Sequence, residues 1–150
     1  MVRRIESSLA AGGFTLTRDS VAGRRTVIGR RSSLRRPTFV LIAVFKADAT
    51  PDHLDRFRAE ADQYARTVRR GPGRGVCTLA VAVVESAGSV GGWGADAGGP
   101  GAGAYPVLVE VVGPAVTWPG RGGPGGTADP HLDRLVRDHV VAPVGSRSTM

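Results

Sequence analysis

The alternation of apolar and polar positions along the chain predicts where its strands lie. Thr38 to Lys46 is nearly continuous in apolar residues, which is typical of a central strand buried on both faces of a sheet. Val76 to Val84 is a second run of this kind. Tyr105 to Val112 is a third, and the proline at its second position favours the start of a strand or the edge of the sheet. These three runs predict the buried centre of one sheet.

The N-terminal part of the chain predicts a β-hairpin before that centre. Phe14 to Arg18 alternates apolar and polar residues, and Arg25 to Gly29 has the β-branched content of a return strand. Ala22 and Gly23, which lie between these segments, are suited to turn the chain. A short helix that ends at Gly12 comes before the hairpin.

Two longer amphipathic helices are predicted, and both begin with the same kind of cap. The first is Pro51 to Arg69, with Thr50 as its N-cap residue and a proline at its first position. The second is Pro130 to Val141, which follows Asp129 in the same way and which Pro143 is expected to end. The order α-β-β-β-α-β-β-α predicts a single α+β or α/β domain, a mixed sheet of about five strands covered by helices.

Glycine is concentrated in two segments, which predict flexible loops. Residues 86–104 and 113–128 hold 14 of the 22 glycines. The domain is expected to span residues 1–144 and to end in a disordered tail over 145–150. The predicted core contains the apolar positions that face the sheet or the helices. They are Leu9, Phe39, Leu41, Ala43, Phe45, Leu54, Phe57, Ala61, Tyr64, Val68, Leu79, Val81, Val83, Leu108, Leu132, Leu135 and Val136.

The net charge of +7 comes almost entirely from arginine, since Lys46 is the only lysine among 20 basic residues. A GC-rich genome explains much of this excess, because it raises arginine at the expense of lysine. The predicted hairpin is nevertheless unusual, since Asp19 is the only acidic residue between positions 18 and 36. Seven arginines lie there, Arg18, Arg24, Arg25, Arg30, Arg31, Arg35 and Arg36.

Two interpretations of these arginines stay open. They form either a solvated basic surface or a weak contact with a polyanion, such as nucleic acid or an acidic protein. Because successive residues of a strand point to opposite faces, at most about half of them line one surface. Aromatic residues are absent from the stretch, so we expect sequence-independent electrostatic contact rather than base stacking.

An enzymatic alternative rests on four residues, Asp19, Lys46, Glu85 and Glu110. The order of elements resembles the core of restriction endonucleases, which suggests a degenerate member of that fold or another divergent hydrolase. That core needs an acidic residue two positions before a lysine on the central strand, and Val44 occupies this position here. We therefore prefer a non-enzymatic binding or accessory domain.

No cofactor or metal site is predicted. His131 and His139 lack the i,i+4 spacing of a helical zinc site, and His53 stands apart from both in the sequence. Trp93 and Trp118 lie in the glycine-rich segments, where each is either a contact for a protein partner or folded back on the core.

The expected location is the cytoplasm. Cys77 is the only cysteine, which rules out an internal disulfide, and its apolar surroundings predict a core residue. The longest apolar run, Phe39 to Phe45, is far shorter than the ~20 residues of a membrane-spanning helix. The N-terminal segment has no apolar stretch of the secretory type.

Five short motifs lie between the first helix and the last predicted strand: Gly13-Phe14, Thr50-Pro51-x-x-Leu54-x-x-Phe57, Tyr64-Ala65, Arg74-Gly75 and Tyr105-Pro106-Val107-Leu108-Val109. Together with the arginine-rich hairpin, they resemble an uncharacterised family of small prokaryotic proteins. The resemblance covers Ile5 to Val112 and, more loosely, the last helix. That family has no assigned activity, so the resemblance implies no catalytic residue.

Overall fold

A computed structural model describes residues 2–32, 37–47, 49–68, 77–86, 88–90, 93, 104–119 and 130–145. They form an α+β single domain with a mixed sheet, as predicted. The strands are β1 (Thr15–Val21), β2 (Arg24–Arg31), β3 (Thr38–Phe45), β4 (Cys77–Val84), β5 (Tyr105–Glu110) and β6 (Ala115–Thr117). The helices are α1 (Val2–Ala11), α2 (Pro51–Val68), α3 (Pro130–Val136) and α4 (Ala142–Gly145), with a π turn (Arg137–Val141) between the last two.

The six strands lie in the sheet in the same order as in the sequence. β1, β2 and β3 form an antiparallel meander, β3, β4 and β5 are parallel, and β6 pairs antiparallel with β5. α2 connects β3 to the parallel strand β4, since parallel neighbours require a crossover. The sheet therefore has β1 at one edge and the short β6 at the other.

β6 is the strand that the sequence prediction did not include. Only three residues long, it lies within the segment 113–128 that we interpreted as a loop. Val116 is its one buried residue, which is too little to produce a recognisable alternation. β6 pairs only with Leu108, Val109 and Glu110, so Pro106 lies beyond its ladder, where the missing N–H costs nothing.

Each face of the sheet has its own core, because successive strand residues point to opposite sides. α2 covers one face, and α1, α3, the π turn and α4 cover the other. Every residue of β4 is buried, and β3 is buried except for Val44, which is 43% exposed. The predicted core residues are buried, apart from Tyr64 and Val68, which are partly buried at the margin of the α2 face.

The start of α2 follows its sequence signals closely. The Oγ1 atom of Thr50 accepts a hydrogen bond from the N–H of His53 at 3.3 Å, which satisfies one of the free amides of the first turn. Leu54, Phe57 and Ala61 lie on one stripe and are fully buried against the sheet. The predicted end, Arg69, lies outside the described residues.

The β1–β2 hairpin closes through a two-residue turn. Ala22 and Gly23 both have positive φ values, 57° and 69°, and Val21 pairs with Arg24 on either side of them. This is the geometry of a type I′ turn, which matches the twist of the strands that it joins. The strands extend further toward this turn than the sequence predicted.

The prediction that Pro143 ends the last helix is wrong. The chain continues through α4 to Gly145, the first residue of the predicted disordered tail, and residues 146–150 lie outside the described part. Proline lacks the N–H that would bond to the carbonyl of His139 in a regular helix. The turn before it is a π turn, in which the N–H of Ala142 donates to the carbonyl of Arg137.

Within the described residues, no helix is long and apolar enough to cross a membrane.

Part of the predicted loop 86–104 forms regular structure, a single 3-10 turn over Gly88–Val90.

Candidate functional site

The structure separates the four residues of the enzymatic alternative into two places. Lys46 and Glu85 directly follow β3 and β4, and Glu110 ends β5. Because these strands are parallel, their carboxyl ends lie side by side, and the three residues lie at that end of the sheet. Asp19 lies on β1, two strands away from β3, which is roughly 10 Å at the usual strand spacing.

Asp19 also faces a different environment. It is exposed, and its Oδ2 atom accepts a hydrogen bond from the hydroxyl of Tyr64 on α2 at 3.3 Å. Burial raises the pKa of Tyr64, and the negative charge of Asp19 raises it further. In the part of the chain that the structure describes, no three His, Cys, Asp or Glu side chains are grouped closely enough to hold a metal ion. Asp19 thus lies on a different strand and beside a different helix from the other three residues of the hydrolase alternative.

The hairpin arginines alternate between the two faces of the sheet. Arg18, Arg25 and Arg31 lie on the α1 side, and Arg24 and Arg30 lie on the α2 side. This division agrees with the expectation that about half of them share a surface. Arg35 and Arg36 lie outside the described residues.

Two of these arginines are held by the domain itself. The guanidinium of Arg24 lies 3.9 Å from the centre of the Phe45 ring and donates to the carbonyl of Val44 at 3.1 Å. The guanidinium of Arg31 lies 4.6 Å from the centre of the Phe14 ring and donates to the carbonyl of Gly12, also at 3.1 Å. In both contacts the guanidinium covers an aromatic ring at the margin of the core, and the cation is attracted to the face of the ring.

Arg30 makes a longer contact of this kind, 5.5 Å from the centre of the Phe39 ring. None of the three contacts is apparent from the sequence, because the aromatic residues Phe45, Phe14 and Phe39 lie outside the basic stretch. They reach the arginines only when β3 and the end of α1 pack against the hairpin. One signal was available, since an arginine beside a buried strand often covers its aromatic residues.

The remaining arginines, Arg18 and Arg25, stay exposed on the α1 side. With Asp19 and Ser20 they line an open depression of about 540 Å³. Arg18 forms an ion pair with Glu6 of α1 at 2.9 Å, which orients its guanidinium without burying it. In the ladder, Ser20 is directly opposite Arg25. We call Arg18, Ser20 and Arg25 the arginine face.

His139 is partly buried, whereas His53 and His131 are exposed. Its Nδ1 atom lies 2.9 Å from Oγ of Ser8, and its ring packs edge-on against Phe14 at 5.8 Å between centroids. Burial lowers the pKa of His139, and the positive charge of Arg31 lowers it further, against the opposing influence of Asp138. Among the described residues no carboxylate hydrogen-bonds to this ring, so the Ser8–His139 pair lacks the orienting acid of a catalytic triad. We assign it to the packing of α1.

His53 lies exposed at the start of α2, where its Nδ1 atom is 2.6 Å from Oγ1 of Thr50. His131 is exposed in the first turn of α3. The structure thus keeps the three histidines in separate environments. Cys77 is buried in β4, as predicted.

The tryptophans fold back on the domain. Trp118 is only 5% exposed, and its Nε1–H donates to Asp133 at 2.7 Å, so the hypothesis of a partner contact is wrong for Trp118. Burial by itself raises the pKa of Asp133, but hydrogen bonds from Arg137 and Trp118 outweigh it and lower the pKa. Trp93 is partly buried against the α2-side core and donates to Asp55 at 2.9 Å.

Comparison with known proteins gives no further guide to the site: no protein family, no curated protein and no solved structure matches the chain.

Proposed function

We propose that this protein is a non-enzymatic binding domain that contacts a polyanionic partner through its arginine face. The observation that carries the proposal is the placement of Arg18 and Arg25 beside one open depression at the edge of the sheet. Arginine suits such a role because its planar guanidinium binds carboxylate or phosphate groups in a bidentate manner. The formal charge of +7 adds long-range attraction for any such partner.

The proposed contact is weak and independent of sequence. On the α1 side, Arg31 is occupied by the Phe14 ring and the carbonyl of Gly12, so Arg18 and Arg25 supply the contact on this face. Each phosphate that a protein neutralises on duplex DNA contributes about 0.9 to the slope of log affinity against log salt concentration. Two contacts therefore give a slope of about 1.8, with affinity no better than micromolar at physiological salt.

A cytoplasmic setting is part of the proposal. It is supported by the single cysteine, Cys77, which is buried in the core rather than joined in a disulfide, as is usual in a reducing compartment.

The proposal is tested by measuring the affinity of labelled poly-L-glutamate and of a short duplex DNA over a salt series. The variant Arg18→Ala/Arg25→Ala removes the two arginines of the arginine face. Arg66→Ala/Arg134→Ala removes the same charge elsewhere and is a matched control, since Arg66 forms an ion pair with Asp62 and Arg134 is exposed.

We expect the first variant to lose most of the affinity and of the salt slope, and the control to keep both apart from a small general loss. Equal losses in the two variants would show that net charge alone attracts the polyanion, and the arginine face would not be a site.

A further inference from the structure

β1 lies at an edge of the sheet, and its outer side has no strand beside it among the described residues. It pairs with β2 over seven consecutive residues without interruption. It contains neither a proline nor a β-bulge, and its two charged residues, Arg18 and Asp19, point to opposite faces of the sheet. Six of its seven side chains are exposed or partly exposed. β1 is therefore long and regular enough to receive another strand.

The turn of the hairpin determines which backbone groups face outward. In a two-residue type I′ hairpin the residues that flank the turn, here Val21 and Arg24, form a hydrogen-bonded pair. Alternate residues of β1 then point their N–H and C=O groups toward β2, and the residues between them point away. The outward groups belong to Leu16, Arg18 and Ser20.

A hydrogen bond of the structure supports this assignment. The N–H of Ser20 donates to the Oδ1 atom of Asp19 at 2.7 Å, which identifies it as an amide that the β1–β2 ladder does not use. A carboxylate already occupies this outward donor in the isolated chain. A partner strand would replace that contact with a backbone carbonyl.

The outward backbone groups and the positive charges coincide. The side chains of Arg18 and Ser20 lie on the α1 side, where Arg25 is opposite Ser20. In an antiparallel pair, directly opposite residues place their side chains on the same face. The residues of an added strand that hydrogen-bond to β1 would therefore direct their side chains toward the arginine face. The residues between them would lie on the α2 side, near the negative charge of Asp19.

We propose that β1 accepts an extended acidic peptide as an additional antiparallel strand, with carboxylates at alternate positions against Arg18 and Arg25. The backbone hydrogen bonds supply affinity, and the two arginines select acidic side chains. Asp19 disfavours acids at the intervening positions. This inference rests on the proposed function and specifies its partner.

A second copy of the chain fits this edge less well. Symmetric pairing of β1 with itself brings two copies of Arg18 and Arg25 onto the same face, and like charges opposite one another are destabilising. A nucleic acid fits less well too. Its phosphates accept hydrogen bonds but do not donate them, so they would leave the outward carbonyls of β1 without partners.

The experiment uses blocked peptides of alternating glutamate and valine, about eight residues long, which matches a typical strand. One peptide is unmodified, one is N-methylated at its glutamates, and one is N-methylated at its valines. If the glutamates face the arginine face, their amides are the ones that bond to β1. Methylation of the glutamates should therefore weaken binding about tenfold or more, and methylation of the valines should leave it nearly unchanged.

A variant of the chain tests the same edge from the other side. Ser20→Pro removes an outward N–H and leaves the ladder to β2 intact, and proline is tolerated at such an edge position. We expect this variant to lose binding of the unmodified peptide while its thermal unfolding remains cooperative. The methylated peptides decide the matter for the wild-type chain whether or not this variant folds.

The outcomes separate the two proposals. If both methylated peptides bind as tightly as the unmodified one, but Arg18→Ala/Arg25→Ala weakens them all, strand addition is wrong and the electrostatic site stands. If neither methylation of the peptide nor the Arg18→Ala/Arg25→Ala variant changes the affinity, both proposals fail. If duplex DNA of equal charge binds more tightly than the peptide, the partner is a nucleic acid and the inference is overturned.

Discussion

Gly12 and His139 are in direct contact where α1 meets the π turn. A Cβ atom placed on Gly12 would lie 2.6 Å from Cε1 of His139 and 3.0 Å from its Nε2. The other side of the ring is fixed by Ser8, whose Oγ lies 2.9 Å from Nδ1. Glycine at position 12 therefore allows α1 to approach the C-terminal helices closely.

Gly12→Ala should lower the free energy of unfolding by about 1–3 kcal/mol, the usual cost of adding a methyl group to a filled space. In a His139→Ala background the same change should be neutral or slightly stabilising, because the space is then free and alanine restricts the unfolded chain. Urea denaturation of the two single variants and the double variant measures the difference. Additive losses would show that the clash with His139 is not the cause.

The stability of the domain should decrease as the pH is lowered through the range where His139 titrates. Its pKa is below the ordinary value of 6.5, first because of burial and then because of Arg31. The unfolded chain therefore binds a proton more readily than the folded chain. Stability is complete above about pH 6.5 and decreases as the pH falls toward the folded-state pKa.

Denaturation at a series of pH values from 7.5 to 5 checks this for the wild type and for His139→Gln, which carries no titrating group at position 139. We expect the glutamine variant to have the flatter profile over this range, whatever its stability at pH 7.5. Parallel profiles would place the pH dependence at other residues.

Ala22 is the one non-glycine residue with positive φ among the described residues, and this conformation brings its Cβ close to the backbone. Ala22→Asn should raise the free energy of unfolding by about 0.5–1 kcal/mol, because asparagine followed by glycine is the preferred type I′ sequence. Gly23→Ala, also at a positive φ, should have the opposite effect. Thermal melts of the two variants give the signs, and a destabilised Ala22→Asn would contradict the turn assignment.

Leu41 and Val44 lie on the same strand but differ in burial, at 0% and 43% exposed. Leu41→Ala should cost about 2–5 kcal/mol through lost contacts and a cavity. Val44→Ala should change stability by no more than about 0.5 kcal/mol. Leu41→Asp should abolish the cooperative melt, since an unpaired charge would lie in the core. An unchanged melt of Leu41→Asp would refute the placement of β3 at the centre of the sheet.

Local sequence signals predicted the elements well wherever nearby residues decide the conformation. Thr50 caps α2, Ala22 and Gly23 turn the hairpin, and the apolar run of β4 is buried throughout, as its composition requires. Pro143 shows the limit of such signals. Proline disfavours a regular helix, but the packing of Val140 and Val144 against the sheet keeps the helical path and the backbone widens into a π turn.

The candidate site also depends partly on local sequence and partly on tertiary packing. The sequence indicated seven arginines in one basic stretch and limited how many of them share a face. It had no means of showing that Arg24 rests on Phe45 and Arg31 on Phe14, because sheet pairing and helix docking create those contacts. The choice of Arg18 and Arg25 as the exposed pair of the α1 side follows from the pairing of the hairpin and from the contacts that hold Arg31.

The sequence by itself determined the five longer strands, the apolar stripes of the helices, the Thr50 cap of α2 and the basic character of the hairpin, since each depends on the side-chain period or on residues a few positions apart. The tertiary structure decided which arginines remain exposed, which edge of the sheet is open, and that Ser8 meets His139 across 131 positions of chain. Such relationships arise when two helices and a sheet bury their apolar faces together. Burial depends on apolar area rather than on particular partners, so a sequence pattern shows which face is buried but not what it packs against.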